Sequence, residues 1–126
     1  MSILTFNTNS LGDKKKLKRL LIKVDPLVTK GGVVLLQETH VVKTEYLGSI
    51  WKNKFLSNCV STNSAGVLIL YNNDYELLEE YSDGKGRQLI IAIKKDKEKY
   101  IVINAYYPND HKASLIFANE LYEQIL

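Results

Sequence analysis

The segment that most constrains this chain is Gly31-Gly32-Val33-Val34-Leu35-Leu36-Gln37-Glu38. Four consecutive apolar residues leave no polar face, so residues 33–36 predict a strand buried on both sides, which needs a layer against each face. The run turns polar at Gln37-Glu38-Thr39-His40, which carries Glu38 to the strand's C-terminal end. Ile3-Leu4-Thr5-Phe6-Asn7 is an earlier run of the same kind, closed by the polar turn Asn7-Thr8-Asn9-Ser10. Between the two runs, Asp13 is positioned to cap a helix. Its Leu17, Leu20, Leu21 and Val24 recur at helical spacing, and Lys14, Lys15, Lys16, Lys18 and Arg19 cover the wet face. Pro26 is expected to stop this helix. Strand, helix, strand predicts a right-handed crossover with parallel strands, so Asn7 and Glu38 should emerge from the same edge of one sheet.

Downstream the pattern is β-rich. Residues 41–54 read as an irregular segment with a short helical turn and the single tryptophan, Trp51. Residues 55–60 and 65–71 predict an antiparallel hairpin across the polar turn Ser61-Thr62-Asn63-Ser64. Turns at Asn72-Asn73-Asp74, Asp83-Gly84-Lys85-Gly86 and residues 94–99 then predict strands over 75–81, 87–93 and 100–106, a meander of four turn-linked strands with 65–71. Pro108 should end it. Asp110 is an N-cap candidate for a last amphipathic helix carrying Leu115, Ala118, Leu121, Tyr122 and Ile125. Many strands and few helices imply an incomplete layered domain, because a mixed sheet needs cover on both faces.

A length of 126 residues, with 45% hydrophobic and 25% charged content, predicts one globular domain. Cys59 is the only cysteine, which excludes an intrachain disulfide or a multi-cysteine zinc site and favours a reducing compartment. The first residues lack the basic and apolar stretches of a secretion signal, and no run approaches a membrane span. The expectation is an intracellular protein of nucleus or cytoplasm, with no membrane partner. A formal charge of +3 permits approach to a polyanion without demanding it.

Two polar strand tips on one sheet suggest a metal and phosphate site. Hard divalent ions take oxygen ligands, and Mg²⁺ uses one or two protein carboxylates while keeping waters and phosphate oxygens. Glu38 suits that role, against the alternative of a solvated strand end. Asn7 can hold a phosphate oxygen or orient Glu38; its alternative is an Asx turn closing the first strand. Asn9 can bond the turn in the same way. Tyr106 stands at the end of another predicted strand, where a phenol can donate to a phosphate oxygen, while eight tyrosines make aromatic packing the competing role. His40 shares a face with Glu38 only if the strand continues. His111 reads as a helix-surface histidine. Lys15, Lys18 and Arg19 form a basic helical face suited to phosphates or simply to water.

In their order along the chain these residues resemble the endonuclease/exonuclease/phosphatase family, especially the apurinic-like endonuclease domains of non-long-terminal-repeat retrotransposons. Ile3-Leu4-Thr5-Phe6-Asn7-Thr8-Asn9 looks like the first-strand motif and Leu36-Gln37-Glu38-Thr39-His40 like the Gln-Glu-Thr-His motif. Ala65-Gly66-Val67 looks like the middle-strand motif, and Asn104-Ala105-Tyr106-Tyr107-Pro108-Asn109 like the Asn-x-Tyr-x-Pro-Asn motif. The resemblance implies an α/β fold, here an incomplete four-layer αββα sandwich. It implies Asn7, Glu38 and Tyr106 as active-site positions, Glu38 as ligand of Mg²⁺ (Mn²⁺ as substitute), and DNA as partner. Asn9, His40, Asn109, Lys15, Lys18 and Arg19 are further candidate phosphate or DNA contacts. Such a fold has a C-terminal half with an Asp-x-Asn segment, another Asp and a Ser-Asp-His motif, none of which follows Asn109. Residues 1–126 are therefore expected to be a partial domain, inactive alone and completed by a C-terminal half or a complementary chain. The rival expectation is a noncatalytic half-domain that binds nucleic acid or protein.

Overall fold

In the computed structural model, which describes residues 1–106, strand β1 (Ile3–Asn7) leads through helix α1 (Lys14–Thr29) into β2 (Val33–Gln37). β1 and β2 pair in parallel, with Asn7 opposite Gln37, as the crossover requires. A short helix α2 (Glu45–Ile50) follows, then β3 (Lys54–Asn58), β4 (Val67–Tyr71), β5 (Glu76–Ser82), β6 (Gln88–Lys95) and β7 (Glu98–Ala105).

The strands form two sheets: a mixed one in the order β1-β2-β4-β3 and an antiparallel one in the order β5-β6-β7. The predicted four-strand meander is thus corrected, because β4 belongs to the first sheet and pairs with β2 and β3. The break is made at the turn after β4. There Asn72 Nδ2 donates to the carbonyls of Val28 and Thr29, and the buried Tyr75 donates its hydroxyl to Gly31 O at 2.9 Å. These bonds turn the chain away from β4 before β5 can pair with it.

β2 explains the layering. Val34 and Leu36 join α1, α2 and β4 in one core with Leu17, Leu21, Val24, Val28, Leu47 and Trp51. Val33 and Leu35 face the other way, into a core with Val67, Ile69, Leu89, Ile91, Ile93 and Val102 between the sheets. Each such fully buried aliphatic contributes roughly 1.5–3 kcal/mol, which makes β2 the anchor of both cores. The described residues therefore build three layers, helices on a sheet on a sheet.

Asp13 caps α1 as expected, its carboxylate accepting from Lys15 N at 2.8 Å. Pro26 does not stop the helix, which continues to Thr29. Proline removes only the bond to the carbonyl of Ile22, and Ile22 lies on the wet side at 64% exposure, where water can replace that bond. Burial of Val28 holds the final turn. The stop is Gly31 at φ +94°, whose N–H donates to Val28 O in a left-handed cap. Asn109, Asp110, His111 and the last predicted helix lie outside the described residues.

Candidate functional site

The C-terminal tips of β1 and β2 lie side by side, and a backbone lattice fixes the residues beyond them. Thr8 N donates to Gln37 O, Ser10 N to Glu38 O and Leu11 N to Thr39 O, at 2.8–2.9 Å. On the other side, Thr39 N donates to Gly66 O and His40 N to Ala65 O. The Glu38–His40 turn is thereby fastened between the β1–α1 loop and the approach to β4. Asn9, Ser10, Glu38 and His40 all take left-handed backbone conformations, with φ between +50° and +80°. Each costs of order 1 kcal/mol or more, and four of them gathered around two strand ends mark a segment whose shape is imposed by its surroundings.

Tyr106 arrives from the second sheet. Gly66 N donates to Gly86 O, and Tyr106 N to Arg87 O, both at 2.8 Å, so the β5–β6 turn bridges the two sheets at this end. Tyr106 then donates its hydroxyl to Glu38 Oε1 at 2.8 Å. Donation to Glu38, followed by partial burial and the nearby carboxylate charge, raises the phenol's pKa above its ordinary value of 10.0, with Arg87 pulling weakly the other way. The phenol is therefore a neutral donor throughout the physiological range. Side chains separated by 68 positions meet at one half-buried point.

The support beneath them is polar and buried. Asn104 donates Nδ2 to Leu36 O and Leu68 O at 3.0 and 2.9 Å, and accepts from Gln37 Nε2 at 2.9 Å. It stitches β7 of one sheet to β2 and β4 of the other, just before Tyr106. Thr8 places Oγ1 3.0 Å from the carbonyls of both Gln37 and Glu38. Lys16 Nζ donates to Thr8 O and Asn9 O, so this lysine of the basic run serves the loop. Gly66, at φ +96°, has no room for a side chain: a Cβ there would lie 2.5 Å from Thr39 Oγ1 and 2.8 Å from Cys59 Sγ.

The other residues singled out from sequence are distributed around this point. Asn7 is exposed beside Gln37 and closes an Asx turn, its Oδ1 accepting from Asn9 N at 3.0 Å. Asn9 is exposed in that turn, and the half-buried His40 lines an adjoining cleft. Lys15, Lys18 and Arg19 are exposed on α1. Sequence reasoning missed Thr8, Gln37, Asn104 and Lys16. Gln37 and Asn104 carried a signal, since both are polar residues ending apolar strands beside a candidate site residue.

Among the described residues no three His, Cys, Asp or Glu side chains group around one point, so there is no all-protein metal cage. A hard ion that takes one or two protein carboxylates and fills its shell from water and phosphate does not need such a cage, and the half-buried Glu38 offers one carboxylate.

No family model and no curated protein matches the chain. Solved structures do. An AP endonuclease, LMAP, from Leishmania major aligns over 84% of this chain and 40% of its own at 18% identity, with a TM-score of 0.62. Truncated TDP2 from Caenorhabditis elegans aligns over 98% of this chain and 55% of its own at 13% identity, TM-score 0.69. A selenomethionine TDP2 from the same organism aligns over 99% and 42% at 14% identity, TM-score 0.69. The chain has the two-sheet α/β fold of the AP endonuclease and TDP2 structures, and spans about half of their length or less.

Proposed function

We propose that this chain carries the metal- and phosphate-holding half of a DNA phosphodiesterase site, of the kind found in retrotransposon apurinic-like endonucleases. The observation that carries the reading is the Tyr106 to Glu38 hydrogen bond at 2.8 Å, made between strand ends of the two sheets in a fold shared with an AP endonuclease. In this reading Glu38 holds Mg²⁺ or Mn²⁺, which when bound offsets negative charge on a phosphate. Tyr106, kept protonated, holds the carboxylate with its single O–H in the free protein and swings that donor to a non-bridging phosphate oxygen when DNA is bound. Asn7 offers its amide to the same phosphate from the tip of β1. Asn9, His40 and Asn109 are assigned to the DNA strand on either side.

Hydrolysis also requires a group that takes a proton from water aligned with the scissile phosphate. Among the described residues no three His, Cys, Asp or Glu side chains gather at one point, and the family resemblance assigns the proton-accepting groups to a C-terminal half. The proposal therefore includes inactivity of residues 1–126 alone, activity coming from a second half supplied in the same chain or by a complementary one. Incubating the 126-residue protein and Mg²⁺ with nicked, abasic and plain duplex DNA tests this. Metal-dependent turnover lost in Glu38→Gln would overturn the inactivity while keeping the chemistry; turnover indifferent to Glu38 would overturn both.

A second reading, a noncatalytic nucleic-acid-binding half-domain, is favoured by the exposed basic face of α1. It expects neutral replacements at Lys15, Lys18 and Arg19 to weaken DNA binding and its salt dependence, with Glu38→Gln having little effect. Affinity that does not change across a salt series would remove it.

A further inference from the structure

Beside the Glu38–His40 turn lies a cleft of about 680 Å³ that the proposed phosphate site does not use. Its size falls within the roughly 300–1,000 Å³ of small-molecule sites. Leu11 is buried in its lining, Val42 and Val60 stand open on its walls, and Tyr46 of α2 adds an aromatic ring. Lys14, Lys43 and His40 also line it, and among the described residues no Asp or Glu does. Lys14 Nζ rests 5.0 Å from the centre of the Tyr46 ring. Leu11 and His40 join the cleft directly to the site, since Leu11 N is bonded to Thr39 O and His40 stands two residues beyond Glu38.

We propose that this cleft takes an unpaired nucleotide of the DNA strand, next to the phosphate held at Glu38. An apolar floor with one aromatic ring suits a base face and offers no hydrogen-bond code, while two lysines, with no acid beside them among the described residues, complement the flanking phosphates. A paired base cannot enter, because its faces are stacked within the duplex. On binding, the Lys14 ammonium moves from the ring to a phosphate and the base takes the ring face it leaves. The inference rests on the phosphodiesterase reading and adds to it a preference for single-stranded, frayed or overhanging DNA over intact duplex.

The test is binding of the 126-residue protein, in EDTA, to a single-stranded 12-mer with a central 2-aminopurine and to a blunt duplex of the same sequence. The expected result is tighter binding of the single strand, with quenching of the 2-aminopurine as it stacks. Tyr46→Ala should weaken that binding by roughly 5- to 150-fold, the range for loss of one base-aromatic stack. Lys14→Gln with Lys43→Gln should flatten the salt dependence by about 1.4 in log–log slope. Since Tyr46 also touches the core, Val60→Asp is the companion variant: it sits at 60% exposure and puts a carboxylate in the cleft, and should abolish quenching in a folded protein. Duplex preference, or unchanged quenching in both Tyr46→Ala and Val60→Asp, would overturn the inference. EDTA separates the two readings. Quenching through Tyr46 in EDTA, with Mn²⁺ binding that is indifferent to Glu38→Gln, keeps this inference and removes the other, and Glu38-dependent Mn²⁺ binding with quenching indifferent to Tyr46 and Val60 does the reverse.

Discussion

The Tyr106 to Glu38 hydrogen bond gives residue-scale expectations with a defined sign. Its raised pKa means that the folded protein holds the phenolic proton more tightly than the unfolded chain. The stability contributed is fully present below the unfolded value of about 10 and is lost as pH rises through the folded value, so melting between pH 7 and 9 should show no change from this pair. Ultraviolet titration should place Tyr106 among the late-ionising tyrosines with Tyr71 and Tyr100, and Tyr106→Phe should remove one of that group. Because the pair is only half-buried, Tyr106→Phe should cost about 1 kcal/mol in chemical denaturation, below the roughly 1.5–3 of a buried bond to a charged group. Gly66→Ala should cost more, about 2 kcal/mol or above, since it adds a Cβ at φ +96° against Thr39 and Cys59. The polar character of Glu38 and Tyr106 at strand ends was readable from their neighbours in sequence; their meeting was not, because it depends on a bridge between sheets through Gly66, Gly86 and Arg87.

At the scale of elements, Asn104 is the stitch between the sheets, and replacing it tests that role. Asn104→Leu leaves the Leu36 and Leu68 carbonyls and the Gln37 amide without this buried partner, at a penalty of about 1–3 kcal/mol per group where water cannot follow. Differential scanning calorimetry should show a loss of about 2–4 kcal/mol. Amide exchange should speed up in β7 first, and a variant with unchanged exchange there would contradict the role. The elements themselves were legible wherever periodicity was strong: the Val33-Val34-Leu35-Leu36 run is β2, and the leucines of α1 face its core. Two features were not. Pro26 is tolerated because Ile22 faces water and Gly31 supplies the real stop. The sheet change after β4 depends on Asn72 reaching the end of α1, a contact that local turn patterns do not encode.

For the whole molecule, β1 is an edge strand with Ile3 at 60% and Phe6 at 49% exposure, although both belong to an apolar run. Among the described residues it pairs only with β2, so one edge of five residues stays open to another strand. No helix among these residues is long and apolar enough to cross a membrane. Sedimentation of the 126-residue protein should show concentration-dependent self-association, which Phe6→Lys should reduce; a wild-type monomer at all concentrations would contradict an open edge. The two-layer burial of β2 signalled a stacked architecture from sequence, while the meeting of Glu38 with Tyr106 at its rim required the fold. The proposed metal site at Glu38 is tested by titration of Mn²⁺ followed by electron paramagnetic resonance, with and without a short oligonucleotide. The wild type should bind Mn²⁺ more tightly with the oligonucleotide present and lose at least about tenfold in Glu38→Gln; equal binding by both proteins, with no effect of the oligonucleotide, would contradict a metal site there.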